Sequence, residues 1–190
     1  VTDMSYMFKS FTGASAFNQD ISGWETGNVE SMQAMFQDAT AFNQDIGGWD
    51  VSSVTDMGLM FNNASAFNRD IGGWDVSSVI SMIGMFAGFN TETSFNQDIS
   101  GWETGNVKSM RTMFLNTTAF NRDIGGWDVS GVTDMEFMFG GASAFNQDIG
   151  GWETGNVENM RVMFQDAADF NQDIGGWDVS SVTDMSYMFT

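Results

Sequence analysis

The chain repeats one phrase eight times, and no other feature limits its fold so tightly. Beginning at Val1, Val29, Val54, Val79, Val107, Val132, Val157 and Val182, it reads Val-x-x-Met-x-x-Met-Phe. A short variable stretch follows, then Phe-Asn-Gln/Arg-Asp-Ile-Gly/Ser-Gly-Trp-Asp/Glu. Successive starts lie 25 residues apart, except for two steps of 28. A period of this length predicts a solenoid, in which each repeat is one coil stacked on the next. The expected organisation is one domain, 1–190, of seven full coils starting at 1, 29, 54, 79, 107, 132 and 157, with a partial coil over 182–190.

Because each column occurs seven or eight times, the chain can be read against itself. In the coil Val54–Ser78, the residues Val54, Met57, Met60 and Phe61 fall on one face of a short helix. Ser53 is the expected N-cap, with Asp56 in a capping-box-like position. The cap column reads Asn28, Ser53, Ser78, Asn106, Gly131, Asn156 and Ser181, all residue types that favour that place. Two helical turns are marginal alone and need neighbouring coils. Phe67–Ile71 reads as a strand, and Trp74-Asp75-Val76 as a second extended piece. Gly73 and its equivalents never vary, whereas the preceding column accepts Ser22 and Ser100. The second glycine is therefore expected to supply a positive φ or a close backbone approach. The resulting fold class is an α/β repeat of about 25 residues per coil, with one short helix and short parallel strands.

Val, both Met, both Phe, Ile and Trp form an invariant apolar set, expected to be the core. The column Ser5, Gln33, Gly58, Ile83, Arg111, Glu136, Arg161 and Ser186 scatters in chemistry and predicts a solvent face. The two long coils each gain three residues and a phenylalanine, Phe11 or Phe89. Both end in Glu-Thr-Gly-Asn, as does the coil ending at Asn156, while the other four end in Asp-Val-Ser-Ser/Gly.

The net charge is −19 with only six Lys and Arg, a balance that repels nucleic acid and anionic membranes. Cations, basic proteins and uncharged sugars are the compatible partners. Histidine and cysteine are absent, which removes disulfides, thiolate chemistry and the commonest general base and zinc ligand. No apolar run reaches transmembrane length, so direct membrane insertion is not expected. Catalysis needs one coil to differ from the others, and none carries a unique histidine, lysine or acid cluster; no enzyme activity is expected.

Several columns could carry binding. Asp20, Asp45, Asp70, Asp98, Asp123, Asp148 and Asp173 would stack near 5 Å apart at a cost of roughly 1 kcal/mol per neighbouring pair in water-like surroundings. They are expected to accept backbone N–H bonds at the Gly-Gly corner; the alternative is a calcium ladder, the one cofactor considered. The asparagines two places earlier are expected to bond between coils. The seven tryptophans are expected in the core rather than as a sugar-binding ladder, and the 16 methionines as core filler. The candidate ligand-binding face combines Gln19, Gln44, Arg69, Gln97, Arg122, Gln147 and Gln172 with the acids after Trp: Glu25, Asp50, Asp75, Glu103, Asp128, Glu153 and Asp178. Asn63-Ala-Ser65 and Asn116-Thr-Thr118 match the N-glycosylation sequon.

The full phrase, Phe-Asn-Gln-Asp-Ile-Gly-Gly-Trp-Asp-Val-Ser-Ser-Val-Thr-Asp-Met-x-x-Met-Phe, resembles the 25–26-residue repeat of bacterial surface proteins and lipoproteins in the BspA-like branch of the leucine-rich-repeat superfamily. The resemblance covers the whole chain. It implies a right-handed leucine-rich-repeat-like solenoid, an extracellular cell-surface location, and adhesion or partner binding. The expected function is thus a non-catalytic surface scaffold that binds protein or glycan through an acidic face. Its alternatives are a calcium-binding solenoid, or a structural spacer or head-to-tail fibre-forming segment without a ligand of its own. Val1–Phe8 and Val182–Phe189 are identical, and neither end has the polar cap that a solenoid normally needs, so the chain is expected to be cut from a longer array, to be capped elsewhere, or to stack head to tail.

Overall fold

One parallel bridge per coil ties the repeats together. In a computed structural model, which describes residues 1–9 and 16–190, single-residue bridges run Asp3–Ser31–Asp56–Ser81–Ser109–Asp134–Asn159–Asp184. Around each bridge the backbone alternates its partners. The N–H groups of Met57, Leu59, Phe61 and Asn63 donate to Ser81, Ile83, Met85 and Ala87 of the next coil at 2.7–3.1 Å. Between them, Met60, Asn62 and Ala64 donate to the carbonyls of Met57, Leu59 and Phe61, closing a chain of β-turns.

This arrangement overturns the expected α/β, leucine-rich-repeat-like solenoid. Among the described residues there is no α-helix, and bridges replace continuous strands. A helix would place the Phe61 N–H on the Met57 carbonyl, but it donates instead to Met85. The cause is a left-handed residue two places after the first Met in every coil. Tyr6, Ala34, Leu59, Gly84, Thr112, Phe137, Val162 and Tyr187 all have φ between 52 and 60°. A side chain there costs about 1–2 kcal/mol, which the bonds to the next coil offset. A second left-handed column holds Asp38, Asn63, Asn116, Gly141 and Asp166, types that tolerate the conformation. Val54, Met57, Met60 and Phe61 do point inward, because a run of turns can bury the same spacing.

The expected helix caps do other work. Ser53 Oγ donates to the Gly27 carbonyl at 3.0 Å, and Asn106 Nδ2 to the Ser77 carbonyl at 2.7 Å, each on the preceding coil. Phe67–Ile71 forms no strand either. Its link to the preceding coil runs through a side chain, with the Asn68 N–H donating to Asn43 Oδ1 at 3.1 Å. Turns closed at Ile71–Trp74 and Val76–Val79 replace the second extended piece.

The core is a pair of phenylalanine columns beside a tryptophan column. Phe61 and Phe67 stack within one coil at 3.9 Å between centroids, and Phe61 lies 5.6 and 5.8 Å from Phe36 and Phe86. Each fully buried ring contributes about 1.5–3 kcal/mol. Six indoles, from Trp49 to Trp177, are buried and donate Nε1–H to the preceding coil's Ile carbonyl at 3.0–3.2 Å.

The glycine expectation is reversed. A Cβ on Gly73 would meet open space, and its φ is not positive; a Cβ on Gly47, in the first column, would lie 2.6 Å from the Asp70 carbonyl oxygen. Ser22 and Ser100 stand only in the two lengthened coils and speak for those coils alone. In one of them the extra residues leave Phe89 exposed, while the Thr93 and Thr117 hydroxyls both donate to the Phe86 carbonyl. Phe11, in the other, lies outside the described residues.

Candidate functional site

Shallow grooves open between successive Gly-Trp-Asp/Glu corners, and they recur along one edge of the stack. Five have volumes of about 260 to 540 Å³. The largest is walled by Gly150–Asn156 with Ser130, Gly176 and Asp178. Of the acids after Trp, Asp75, Glu103, Asp128, Glu153 and Asp178 line these grooves; Asp70 and Asp98 of the other ladder line a fifth.

The two acid types in this column behave differently. Asp50 Oδ1 accepts both the N–H and the hydroxyl of Ser52, at 3.1 and 2.7 Å, and Asp75 and Asp128 bind Ser77 and Ser130 likewise. Asp178 accepts the Ser180 N–H. The serine hydroxyl first, then the serine N–H, hold these four carboxyls below their usual range. Glu25, Glu103 and Glu153 are exposed and accept no such bond, so their carboxylates remain open to solvent and to a ligand.

Packing explains where the glutamates stand. Thr26, Thr104 and Thr154 are buried and donate Oγ1–H to the carbonyls of Asp50, Asp128 and Asp178 on the next coil at 2.8–2.9 Å. A Cβ on Gly27 would lie 2.7 Å from Asp50 Oδ2, and one on Gly105 would lie 2.9 Å from Asp128 Oδ2. A Glu-Thr-Gly-Asn corner therefore makes room for an aspartate above it. Threonine and glycine were not among the expected site residues, although the order of corner types signals them: each Glu-Thr-Gly-Asn coil precedes an Asp-Val-Ser coil.

The Gln/Arg column lines none of these grooves and serves the stack. Gln44, Gln97, Gln147 and Gln172 each donate Nε2–H to the carbonyl and Oδ1 of the preceding Asn, and Arg69 and Arg122 donate Nε–H to the same carbonyls. Gln19, in the first coil, is exposed. The asparagines form a continuous ladder, each Oδ1 from Asn18 to Asn146 accepting the next Asn N–H at 2.9–3.1 Å.

Asp20, Asp45, Asp70, Asp98, Asp123, Asp148 and Asp173 each accept the N–H two residues on at 2.9–3.0 Å, the corner role expected of them. Among the described residues no three acids converge as metal ligands. The sequon asparagines are also engaged: Asn63 Nδ2 donates to Asp38 Oδ1 at 2.7 Å and Asn116 Nδ2 to the Gly88 carbonyl at 2.8 Å. On the bridge-bearing face, Glu136 joins Arg111 and Arg161 at 2.8 Å each. No described helix is long and apolar enough to cross a membrane.

These features define a repeat protein whose exposed chemistry is a row of carboxylate-lined corner grooves. The chain belongs to the family described as Mycoplasma protein of unknown function, DUF285, which matches residues 1–92 and 87–190. No curated protein matches it, and no solved structure does.

Proposed function

We propose that this chain is a non-catalytic scaffold that binds a protein or glycan partner at a cell surface through its corner grooves. The observation that carries this reading is the row of grooves in which Glu103 and Glu153 keep unbonded carboxylates beside glycine backbone. Such walls suit cationic groups, and the net charge of −19 would speed a basic partner's approach. The likeness of the repeat to those of BspA-like bacterial surface proteins supports display outside the cell. A non-catalytic role fits an array whose coils carry the same reactive groups throughout.

Binding to an immobilised lysine-rich peptide tests the groove against bulk charge. A Glu103→Gln/Glu153→Gln chain should bind about fivefold more weakly than a Glu30→Gln/Glu158→Gln chain of equal net charge. Glu30 and Glu158 are exposed and lie outside these grooves. Equal binding by the two would mean that net charge alone acts, and would sink the groove assignment.

A further inference from the structure

We propose that the bridge-bearing face holds a docking surface of its own, made by Ile80 and Ile83 with Lys108 and Arg111, for a protein segment that sets apolar side chains beside carboxylates. Between Val29 and Asn156 the large apolar side chains left exposed are Ile80 at 50%, Ile83 at 37% and Phe89 at 47%, and all three belong to one coil. Every other coil fills the two isoleucine columns with polar or charged residues or with glycine, so the stack itself does not call for isoleucine there. Exposed apolar side chains grouped in this way mark a contact surface.

Charge identifies the partner. The bridge column and the outward columns on either side of it carry an acid in five of the seven full coils: Asp3, Glu30, Asp56, Asp134 with Glu136, and Glu158. The two coils without one are neighbours, and they read Ile80, Ser81, Ile83 and Lys108, Ser109, Arg111. The Lys108 N–H donates to the Ile80 carbonyl and the Gly84 N–H to the Arg111 carbonyl, each at 2.8 Å. Lys108 therefore lies beside Ile80 and Arg111 beside Ile83, about 4.8 Å along the stack. Lys108 is exposed and joins no carboxylate among the described residues. The Arg111 side chain stays half exposed while it pairs with Glu136, whose charge Arg161 shares. On a molecule of net charge −19 this window is apolar and basic, so an acidic segment finds here an attraction that the rest of the surface denies it.

The segment is read by its side chains. The Ile80 N–H donates to the Thr55 carbonyl, and the Ile80 and Ile83 carbonyls accept the Lys108 and Leu59 N–H groups, so these backbone groups are spent inside the stack and cannot take up an added strand. Gly58, in the Ile83 column of the preceding coil, leaves that flank of Ile83 without a neighbouring side chain. None of Ile80, Ile83, Lys108 and Arg111 lines the five corner grooves, so this surface stands apart from the binding site proposed above.

Differential selection from a displayed library of random short peptides tests the proposal, keeping those that bind the parent chain but not an Ile80→Thr/Ile83→Gln chain. Both substitutions install residues that other coils carry in the same columns, such as Thr55 and Gln33, so the fold is retained. The selected peptides should combine Leu, Ile or Phe with Asp or Glu. As synthetic peptides at about 0.15 M salt, they should bind the isoleucine variant at least about tenfold more weakly than the parent. Lys108→Gln/Arg111→Gln should weaken them about fivefold more than Arg69→Gln/Arg122→Gln, which removes the same charge from the asparagine ladder and installs the residue of the other coils there. A library with no peptide that separates the two chains overturns the proposal, as do selected peptides bearing Lys or Arg in place of acids, or equal losses in the two charge variants. Sedimentation velocity should show no association through this face; association that Ile80→Thr/Ile83→Gln abolishes would make a second copy the occupant and overturn the acidic segment.

Discussion

Asp128 shows how single carboxylates are used in this array. Its Oδ1 takes the Ser130 hydroxyl at 2.6 Å and the Ser130 N–H at 2.9 Å, and these bonds hold its carboxyl below the ordinary value of 3.8. A carboxyl lowered on folding contributes stability above its unfolded pKa, and that contribution is lost as pH falls through the folded one. Asp128→Asn should therefore melt below the parent near neutral pH, by an amount worth at most about 1 kcal/mol after solvent screening. The two melting temperatures should converge once the pH drops well under 3.8. A gap that stays constant down to that pH would contradict the charge-assisted bond. The corner role of the Asp-Ile column was legible from residue type alone, because a short acid two places before an N–H closes a turn. The Ser77 and Ser130 hydroxyls on the other acid column were not, since that pairing depends on the rotamer each serine takes.

At the scale of the turn, the two glycines of each corner trade the roles that their substitution pattern implies. A Cβ on Gly72 would run into the Asp98 carbonyl oxygen, whereas Gly73 faces open space at an ordinary φ. Gly72→Ala should destabilise by about 1–3 kcal/mol as an overpacking change. Gly73→Ala should be neutral or stabilising by about 0.4–1 kcal/mol, through the unfolded chain. Urea titration of both variants decides, and a larger loss for Gly73→Ala would restore the reading taken from the column. The column misled because Ser22 and Ser100 occur only in coils three residues longer than the rest. The helix failed for a related reason. The spacing of Val54, Met57, Met60 and Phe61 reports which side chains face inward, and both a helix and a run of turns satisfy it. Leu59 at φ 58°, and its seven equivalents, decide between them. Nothing in residues as varied as Ala34, Thr112 and Val162 announces a left-handed backbone.

Across the whole molecule, like charges lie in register. Acids recur in two columns of every full coil, and only six basic residues oppose 25 acidic ones, which leaves a net charge of −19. Raising the ionic strength from about 10 mM to about 150 mM shortens the Debye length from about 30 to 8 Å. The melting temperature should rise by at least about 2 °C over that range, the response to roughly 1 kcal/mol of relieved repulsion. A melting temperature that is flat or falling with salt would show that the acid columns are already compensated.

The sequence by itself determined the period, the inward apolar columns and the asparagine and aspartate ladders, because each follows from residue type repeated in register. It also carried the order of corner types, in which Glu-Thr-Gly-Asn precedes an aspartate-bearing coil. Only the tertiary structure decided what conformation joins those columns. The N–H of Phe61 has a choice between Met57 in its own coil and Met85 in the next, and the neighbouring coil wins. That choice spends the backbone bonds along the stack, leaves turns where helix and strand were expected, and draws the Gln and Arg side chains into the asparagine ladder. What remains open at the corners is the free carboxylate of the glutamates.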